Sequence, residues 1–348
     1  MMQRTEAPEL IFPRPDPPEF GVPEEISPGI LWLRLPLPFE LDSINLYLLE
    51  DDDGWALVDT GFADRRTRAL WETLLSGPLR GRRLSRMIVT HYHPDHVGMA
   101  GWLSRHADLP LAMSRIEYAA AAELRADPGG FDTPEHRRFY VSHGLDAAMA
   151  GIVAGRGHTY LAGTTGLPDR YTVLTAGERL RIGGRDFDVR TGGGHAPDQV
   201  MLVAPTERVF IAADQVLARI SPNVSVTAAA PEDDALGAYI ASLTRLQAEL
   251  PEDLLVLPGH ERPFLGVHAR IRALCAHHAR RCGRIAEACA AVPLSAAELV
   301  PLLFARPLDP HQTGFAFSEV LAHINYMLGR GELRRETGPD GVHRVRAF

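Results

Sequence analysis

Six consecutive residues, His91-Tyr92-His93-Pro94-Asp95-His96, place three imidazoles and a carboxylate on one short stretch of chain. These donors suit Zn, Fe or Mn. Such crowding makes electrostatic sense when a cation supplies the compensating charge. A helix start capped by Asp95 would account for the acid, but it leaves the three histidines unexplained. A pair of cations takes about six to eight donors, and the rest of the chain offers more. His195 follows the run FDVRT within Gly192-Gly193-Gly194-His195, Asp214 follows RVFIAA, and His260 follows LLVL within Pro258-Gly259-His260. Each is the first chemically useful side chain past an apolar run, where a sheet can hold it.

The elements that must position these donors are legible in outline. Ile44 to Glu50 and Trp55 to Asp59 are β-rich runs separated by Asp51-Asp52-Asp53-Gly54, which predicts a hairpin. A helix is expected over Ala63 to Leu75, a buried strand over Arg86 to Thr90 and a helix over Val97 to His106. The pattern predicts a helical insertion at about 114–170, broken at Asp127-Pro128-Gly129-Gly130. From Tyr171 to Asp214 the runs YTVL, ERLRI, FDVRT, QVMLVA and RVFIAA predict a second sheet. Helices over Asp234 to Leu250 and Val267 to Ala291 flank a strand at Leu254 to Leu257. The tail reads as a helix from the capping box at Ser295, a helix over Phe315 to Leu328 and a hairpin around Gly338 to Gly341, an order like that of a winged helix. The expected division is a Pro-rich arm at 1–28, a catalytic domain at 29–292 and a winged-helix-like domain at 293–348.

With these residues in place, the stretch from Asp59 to His260 resembles the metallo-β-lactamase-fold hydrolase superfamily. Leu57-Val58-Asp59-Thr60-Gly61 matches its first motif, HYHPDH its H-x-H-x-D-H signature, and His195, Asp214 and His260 its later motifs. The resemblance implies an α/β fold, a four-layer αββα sandwich with the site at one sheet edge. It also implies two divalent metal ions, most simply Zn with Fe or Mn as alternatives. His91, His93 and His195 would serve one ion, Asp95, His96 and His260 the other, and Asp214 would bridge them. Asp59 would orient the ligand loop from behind. The implied chemistry is attack by a metal-bridging hydroxide, with Asp95 as both ligand and proton acceptor. The implied substrate is a small ester, thioester or lactone, as in hydroxyacylglutathione-hydrolase-like (glyoxalase II-like) enzymes. The alternative is a lactamase-like phosphodiesterase or endoribonuclease, since such enzymes carry a winged-helix tail. A winged-helix regulator with an inert first domain and a mononuclear iron dioxygenase acting on persulfides are further readings.

Composition narrows the field. All 36 basic residues are Arg, which excludes Schiff-base lysine chemistry and a Walker phosphate loop. The net charge of -8 supplies no field to gather polyanions, and Gly331 to Phe348 carries four Arg against three acids. A small-molecule partner is expected, nucleic acid is disfavoured, and no membrane span is visible. Seven Pro within residues 1–30 suggest an extended arm that wraps its own domain or a neighbour in a homodimer. Three Cys spaced by seven fit one helical face and a cytoplasmic, reducing compartment. His277 and His278, beside Arg280, Arg281 and Arg284, read as a solvated face. Asn223, just beyond the Asp214 motif, is a pocket candidate. Gly192 to Gly194 reads as the turn that aims His195. Tyr118, Phe139, Tyr140, His143, His158 and Tyr160 are the insertion residues able to shape a pocket.

Overall fold

The computed structural model describes residues 10–79, 81, 83–127, 129 and 132–348, without the side chains of residues 156–158. Pro128, Gly130 and the side chain of His158 therefore lie outside what is described. Two sheets stack face to face with helices outside both, the four-layer sandwich expected above. The first sheet runs β1 (Glu24–Ser27), β2 (Ile30–Pro36), β3 (Ser43–Asp51), β4 (Gly54–Val58), β5 (Arg83–Ile88), β6 (Leu111–Met113) and β7 (Tyr171–Val173), neighbours in that order. The second runs β12 (Leu255–Pro258), β11 (Val209–Ala213), β10 (Gln199–Ala204), β9 (Arg185–Gly192) and β8 (Arg179–Ile182).

Period-two alternation explains the layers. Along β3, Ile44, Leu46 and Leu48 face the outer helices, while Tyr47 and Leu49 face the other sheet. Both faces are covered, so the strand reads as a continuous apolar run. The sandwich interior joins Trp32, Tyr47 and Ile88 to Phe187, Leu202, Ile211 and Leu257. Outside the first sheet lie α1 (Arg65–Ser76), α2 (Pro94–Val97), α3 (Ala100–Ala107) and α4 (Arg115–Ala126). Helix α1 buries Thr67, Trp71 and Leu74, one face at helical spacing, and Asp64 caps its start by accepting from the Thr67 N–H. The insertion continues through α5 (Pro134–Ser142), α6 (Ala147–Ala154) and α7 (Arg156–Ala162).

Outside the second sheet lie α8 (Ala235–Glu249) and α9 (Val267–Ala291), followed by the tail: α10 (Ala296–Leu303), α11 (Pro310–Gly329), and the hairpin β13 (Leu333–Thr337) and β14 (His343–Ala347). Phe317, Val320 and Leu321 of α11 share one apolar cluster with Leu236 and Leu243 of α8 and Phe210 and Val256 of the sheet. The tail thus extends the outer layer.

Four sequence expectations need correction. Residues 24–27 of the predicted arm form an edge strand, turned into β2 by Gly29 at φ 69°. The run beginning at Tyr171 pairs with β6 in the first sheet and not with the second. Helix α11 starts at Pro310, five residues before Phe315, because Asp309 and Gln312 form a capping box around a Pro at the first helical position. His277, His278 and Arg281 are buried rather than solvated, because α9 is covered by the second-sheet layer on one side and α11 on another.

Candidate active site

Strand direction delivers the donors to one edge. Strand β4 pairs parallel with β5, so Asp59 and His91, each just past its strand, emerge side by side. In the second sheet β9 and β11 are both antiparallel to β10, and β12 is parallel to β11. Strands β9, β11 and β12 therefore share a direction, and His195, Asp214 and His260 leave the same end. The two ends are tied together by Val200 N–H donating to the Thr90 carbonyl at 2.8 Å and by Asn45 N–H donating to that of Gly259 at 2.7 Å.

All seven predicted donors converge. Nε2 of His91, Nδ1 of His93 and Nε2 of His195 form a triangle with edges of 3.0, 3.0 and 3.3 Å. Nε2 of His260 lies 3.2 Å from Asp95 Oδ2 and 3.3 Å from Asp214 Oδ2, and Nε2 of His96 lies 3.5 Å from Asp214 Oδ1. Asp214 Oδ2 also stands 3.4 Å from His195, so this carboxylate touches both halves. His91, His96, Asp214 and His260 are buried, whereas His93 and Asp95 are partly exposed and mark the open side.

The hydrogen bonds behind the rings fix which nitrogens are bare. His195 Nδ1 donates to the Asn223 carbonyl and His260 Nδ1 to that of Ser43, both at 2.8 Å. The Thr90 hydroxyl donates to Asp59 at 3.0 Å and so accepts from His91 Nδ1 at 3.0 Å. His96 Nδ1 donates to Asp59 Oδ2 at 2.8 Å. Four rings therefore turn Nε2 toward one space. Three ring nitrogens about 3 Å apart have too few protons to bond one another. Donors around a tetrahedral ion with bonds of about 2.0–2.1 Å stand about 3.3 Å apart. Nε2 of His96, Nε2 of His260 and Oδ1 of Asp214 are buried without any hydrogen-bond partner. The residues present fit a cation pair.

Electrostatics divide the two halves. Burial, with the neighbouring rings, holds His91 far below the usual imidazole range and pushes His93 down to about 3. In the other half, burial is outweighed by carboxylates: Asp214, with Asp59 and Asp95, lifts His96 well above its usual value, and Asp214 with Asp95 lifts His260 to about 10. Burial raises Asp95, but His96 and His260 prevail and bring it to about 2.

Backbone strain concentrates here. Asp59, Ala213 and Glu261 hold φ of 61°, 44° and 66°, and each is a site residue or the neighbour of one. Left-handed backbone in non-glycine residues persists where surroundings over-determine it, and it clusters at functional sites. Gly259 is needed for space, since a Cβ there would meet Asp214 Oδ1 at 2.3 Å and His96 Cε1 at 2.9 Å. The turn role expected for Gly192 to Gly194 fits Gly194, at φ 106° with a Cβ position 2.3 Å from Tyr239.

Asn223 is placed differently from the expectation. Its carbonyl anchors His195 and its side chain donates to Ser225 Oγ at 2.6 Å, so it acts behind the ring. Of the insertion aromatics, Tyr160 reaches the site loop by donating to the Tyr92 carbonyl at 2.9 Å. Tyr118 stacks on Tyr171, and Tyr140 and His143 are buried against α6 and the tail. Sequence reasoning missed Glu117. Its two carboxylate oxygens accept from the N–H of Tyr92 at 2.9 Å and of Asp198 at 2.6 Å, joining the His91 loop to the loop after β9. Burial pushes it up to about 7. The Ser114-x-x-Glu117 spacing reads as a helix cap, which conceals this role.

Next to the ligand loop, Phe39 meets Phe62 edge-on at 5.3 Å, and Phe62 and Pro94 both lie against Gly163. The loop carrying Phe39 leads into Ser43, the anchor of His260. The tail grips this loop: Arg306 and Gln312 bond Glu40, and His311 stacks on Phe39.

Comparison with known proteins agrees with this geometry. Residues 40–260 match the family model of the metallo-beta-lactamase superfamily, and residues 282–348 match that of a metallo-beta-lactamase-like C-terminal domain. A beta-lactamase domain protein from Burkholderia ambifaria superposes with a TM-score of 0.88 at 39% identity, covering 98% of both chains. A metallo-beta-lactamase family protein from Thermus thermophilus gives 0.78 at 28% identity, covering 93% of this chain and all of that one. A probable metallo-hydrolase of Bacillus subtilis is 24% identical over 70% of this chain and 74% of its own length. The chain belongs to the metallo-beta-lactamase superfamily of metallo-hydrolases.

Proposed function

We propose that the protein hydrolyses a small ester, thioester or lactone with two divalent cations, most simply zinc, held by the seven converged donors. The observation that carries this reading is the pair of donor triads sharing Asp214, with three of their atoms buried and unpartnered. His91, His93 and His195 would hold one ion and Asp95, His96 and His260 the other. When bound, such a pair acidifies a shared water and neutralises the oxyanion of the attacked carbonyl. Asp95, ionised at neutral pH and partly exposed, is the carboxylate of this set that would be able to accept a proton on the open side. Asp59 and Thr90 keep the His91 and His96 rings in the tautomers that present Nε2.

A carbonyl substrate is favoured over a nucleic acid by the surroundings. Phe39 and Phe62 make the wall beside Pro94 aromatic. The four arginines of the tail hairpin are all engaged with acids: Arg334 and Arg346 with Glu336, Arg335 with Glu232, and Arg344 with Asp340. A phosphate-binding stripe requires free cations, and the winged-helix-like tail offers none among these four. The three cysteine thiols of the chain are free, which suits a reducing cytoplasmic setting. Among the described residues no helix is long and apolar enough to cross a membrane.

The test is hydrolysis of nitrophenyl esters, acyl thioesters, lactones and a nitrophenyl phosphodiester by the metal-free and zinc-reconstituted protein. Carbonyl turnover that appears on reconstitution and vanishes in Asp214→Ala is expected. Turnover independent of metal, or confined to the phosphodiester, overturns the reading.

A further inference from the structure

A second cluster of ring nitrogens lies away from the sheet edge, between α9 and α11. His277, His278 and Glu319 bring three candidate donor atoms within 4.8 Å of one another, and all three residues are buried. His323 stands beside them, with its Nε2 3.2 Å from His278 Nδ1.

The local hydrogen bonds assign the protons. His323 Nδ1 lies 2.8 Å from the Glu319 carbonyl, an acceptor only, so it carries hydrogen and Nε2 is bare. His278 Nδ1 must then donate to that bare nitrogen, which leaves His278 Nε2 as a lone pair. No donor meets it: Nε2 of His278 and Nε2 of His277 are both buried without a hydrogen-bond partner. An unsatisfied buried polar atom costs about 1–3 kcal/mol, and two within one cluster call for an occupant. The arrangement repeats that of the active site, where carbonyls fix Nδ1–H of His195 and His260 and thereby aim their Nε2 lone pairs.

We propose that His277, His278 and Glu319 form a third cation site, separate from the catalytic pair, that ties the tail helix α11 to α9. Arg281 is salt-bridged to Glu319 and offsets its charge. The site therefore relies chiefly on neutral imidazoles, which select zinc or a similar late transition metal over magnesium or calcium. It binds more weakly than the catalytic pair, which three carboxylates surround, and it fills last. His278 also sits edge-on to Tyr239, whose hydroxyl donates to the Gln215 carbonyl beside Asp214.

Zinc per chain, measured by mass spectrometry after equilibration in buffered Zn²⁺, tests the site without reference to activity. Three equivalents are expected in the wild type and two in His278→Gln or His277→Leu, both retaining hydrolysis. One equivalent should remain in Asp214→Ala/His260→Ala, which removes the catalytic ions, and none when His278→Gln is added. A zinc content that is the same in the wild type and in His278→Gln overturns the proposal, whatever number of ions the catalytic site holds. Should those variants not fold, zinc-edge anomalous diffraction from the wild-type protein decides. A peak between α9 and α11 supports the site, and its absence refutes it.

Discussion

Replacement of Asp59 by Asn gives the sharpest test of how the donors are held. The Asp59 carboxylate accepts three hydrogen bonds in a nearly sealed position: Oδ1 from the Thr90 N–H at 2.8 Å, and Oδ2 from the Thr90 hydroxyl at 3.0 Å and His96 Nδ1 at 2.8 Å. An amide is nearly the same size but accepts on one side only. If its NH₂ faces Thr90 N–H, two donors confront each other in the interior, at a cost of about 1–3 kcal/mol in stability. If it faces His96, the ring must present a lone pair at Nδ1 and a proton at Nε2. That proton then occupies the direction the cation needs. Loss of such a supporting partner typically lowers metal affinity by about 10–100-fold, and here it falls on one half alone, because Asp59 touches His96 directly and His91 only through Thr90. Titration of Asp59→Asn with Zn²⁺, followed by mass spectrometry and calorimetry, is therefore expected to leave one catalytic ion near wild-type affinity and weaken the other. Two ions bound with unchanged affinities by a variant of unchanged stability would refute the reasoning.

Gly259→Ala should fold, by circular dichroism, yet lose about 100-fold or more in turnover, since displacing Asp214 and His96 by about 1 Å is enough for such a loss; unchanged kcat contradicts the packing. Metal loading should depend on pH with a definite sign. In the metal-free protein His260 keeps its proton up to about pH 10, against about 6.5 when unfolded. Its contribution to the metal-free fold is thus complete below about pH 6.5 and is lost as pH rises through about 10. A cation must displace that proton, so the zinc-induced rise in Tm should grow between about pH 6.5 and 8.5; a flat or falling gain argues against it. Glu117→Ala leaves two buried N–H groups unpaired and should cost about 2 kcal/mol or more in urea unfolding, with weakened binding at His93. A neutral result would show that Glu117 does not join the two loops.

Reading strand ends serves the site well because its donors lie at the C-terminal ends of apolar runs, and those runs are visible one at a time. Direction within the sheet is not needed to name the residues, only to explain why they meet. What escapes depends on pairing or on faces. The first-sheet membership of β7 is set by β6, far earlier in the sequence, while the chain itself runs on directly to β8. Strand β1 lies behind a Pro-rich stretch that hides it. Glu117 carries a capping pattern that is genuine at the Ser114 hydroxyl, yet its carboxylate is spent elsewhere. His277 and His278 sit among arginines, and polarity alone assigns that face to solvent. Only the tertiary position of α11 shows it to be interior.

The division of donors between the sheets has a structural consequence. The first sheet supplies His91, His93, Asp95 and His96, and the second supplies His195, Asp214 and His260, yet each triad draws on both: His91 and His93 with His195, Asp95 and His96 with His260. A cation in either position would therefore join the two sheets across this edge, where the apolar interior gives out and ring nitrogens and carboxylates face one another. That edge combines unpartnered buried atoms with left-handed backbone at Asp59, Ala213 and Glu261. The interior of the sandwich, sealed by Trp32, Phe187 and their neighbours, backs this edge.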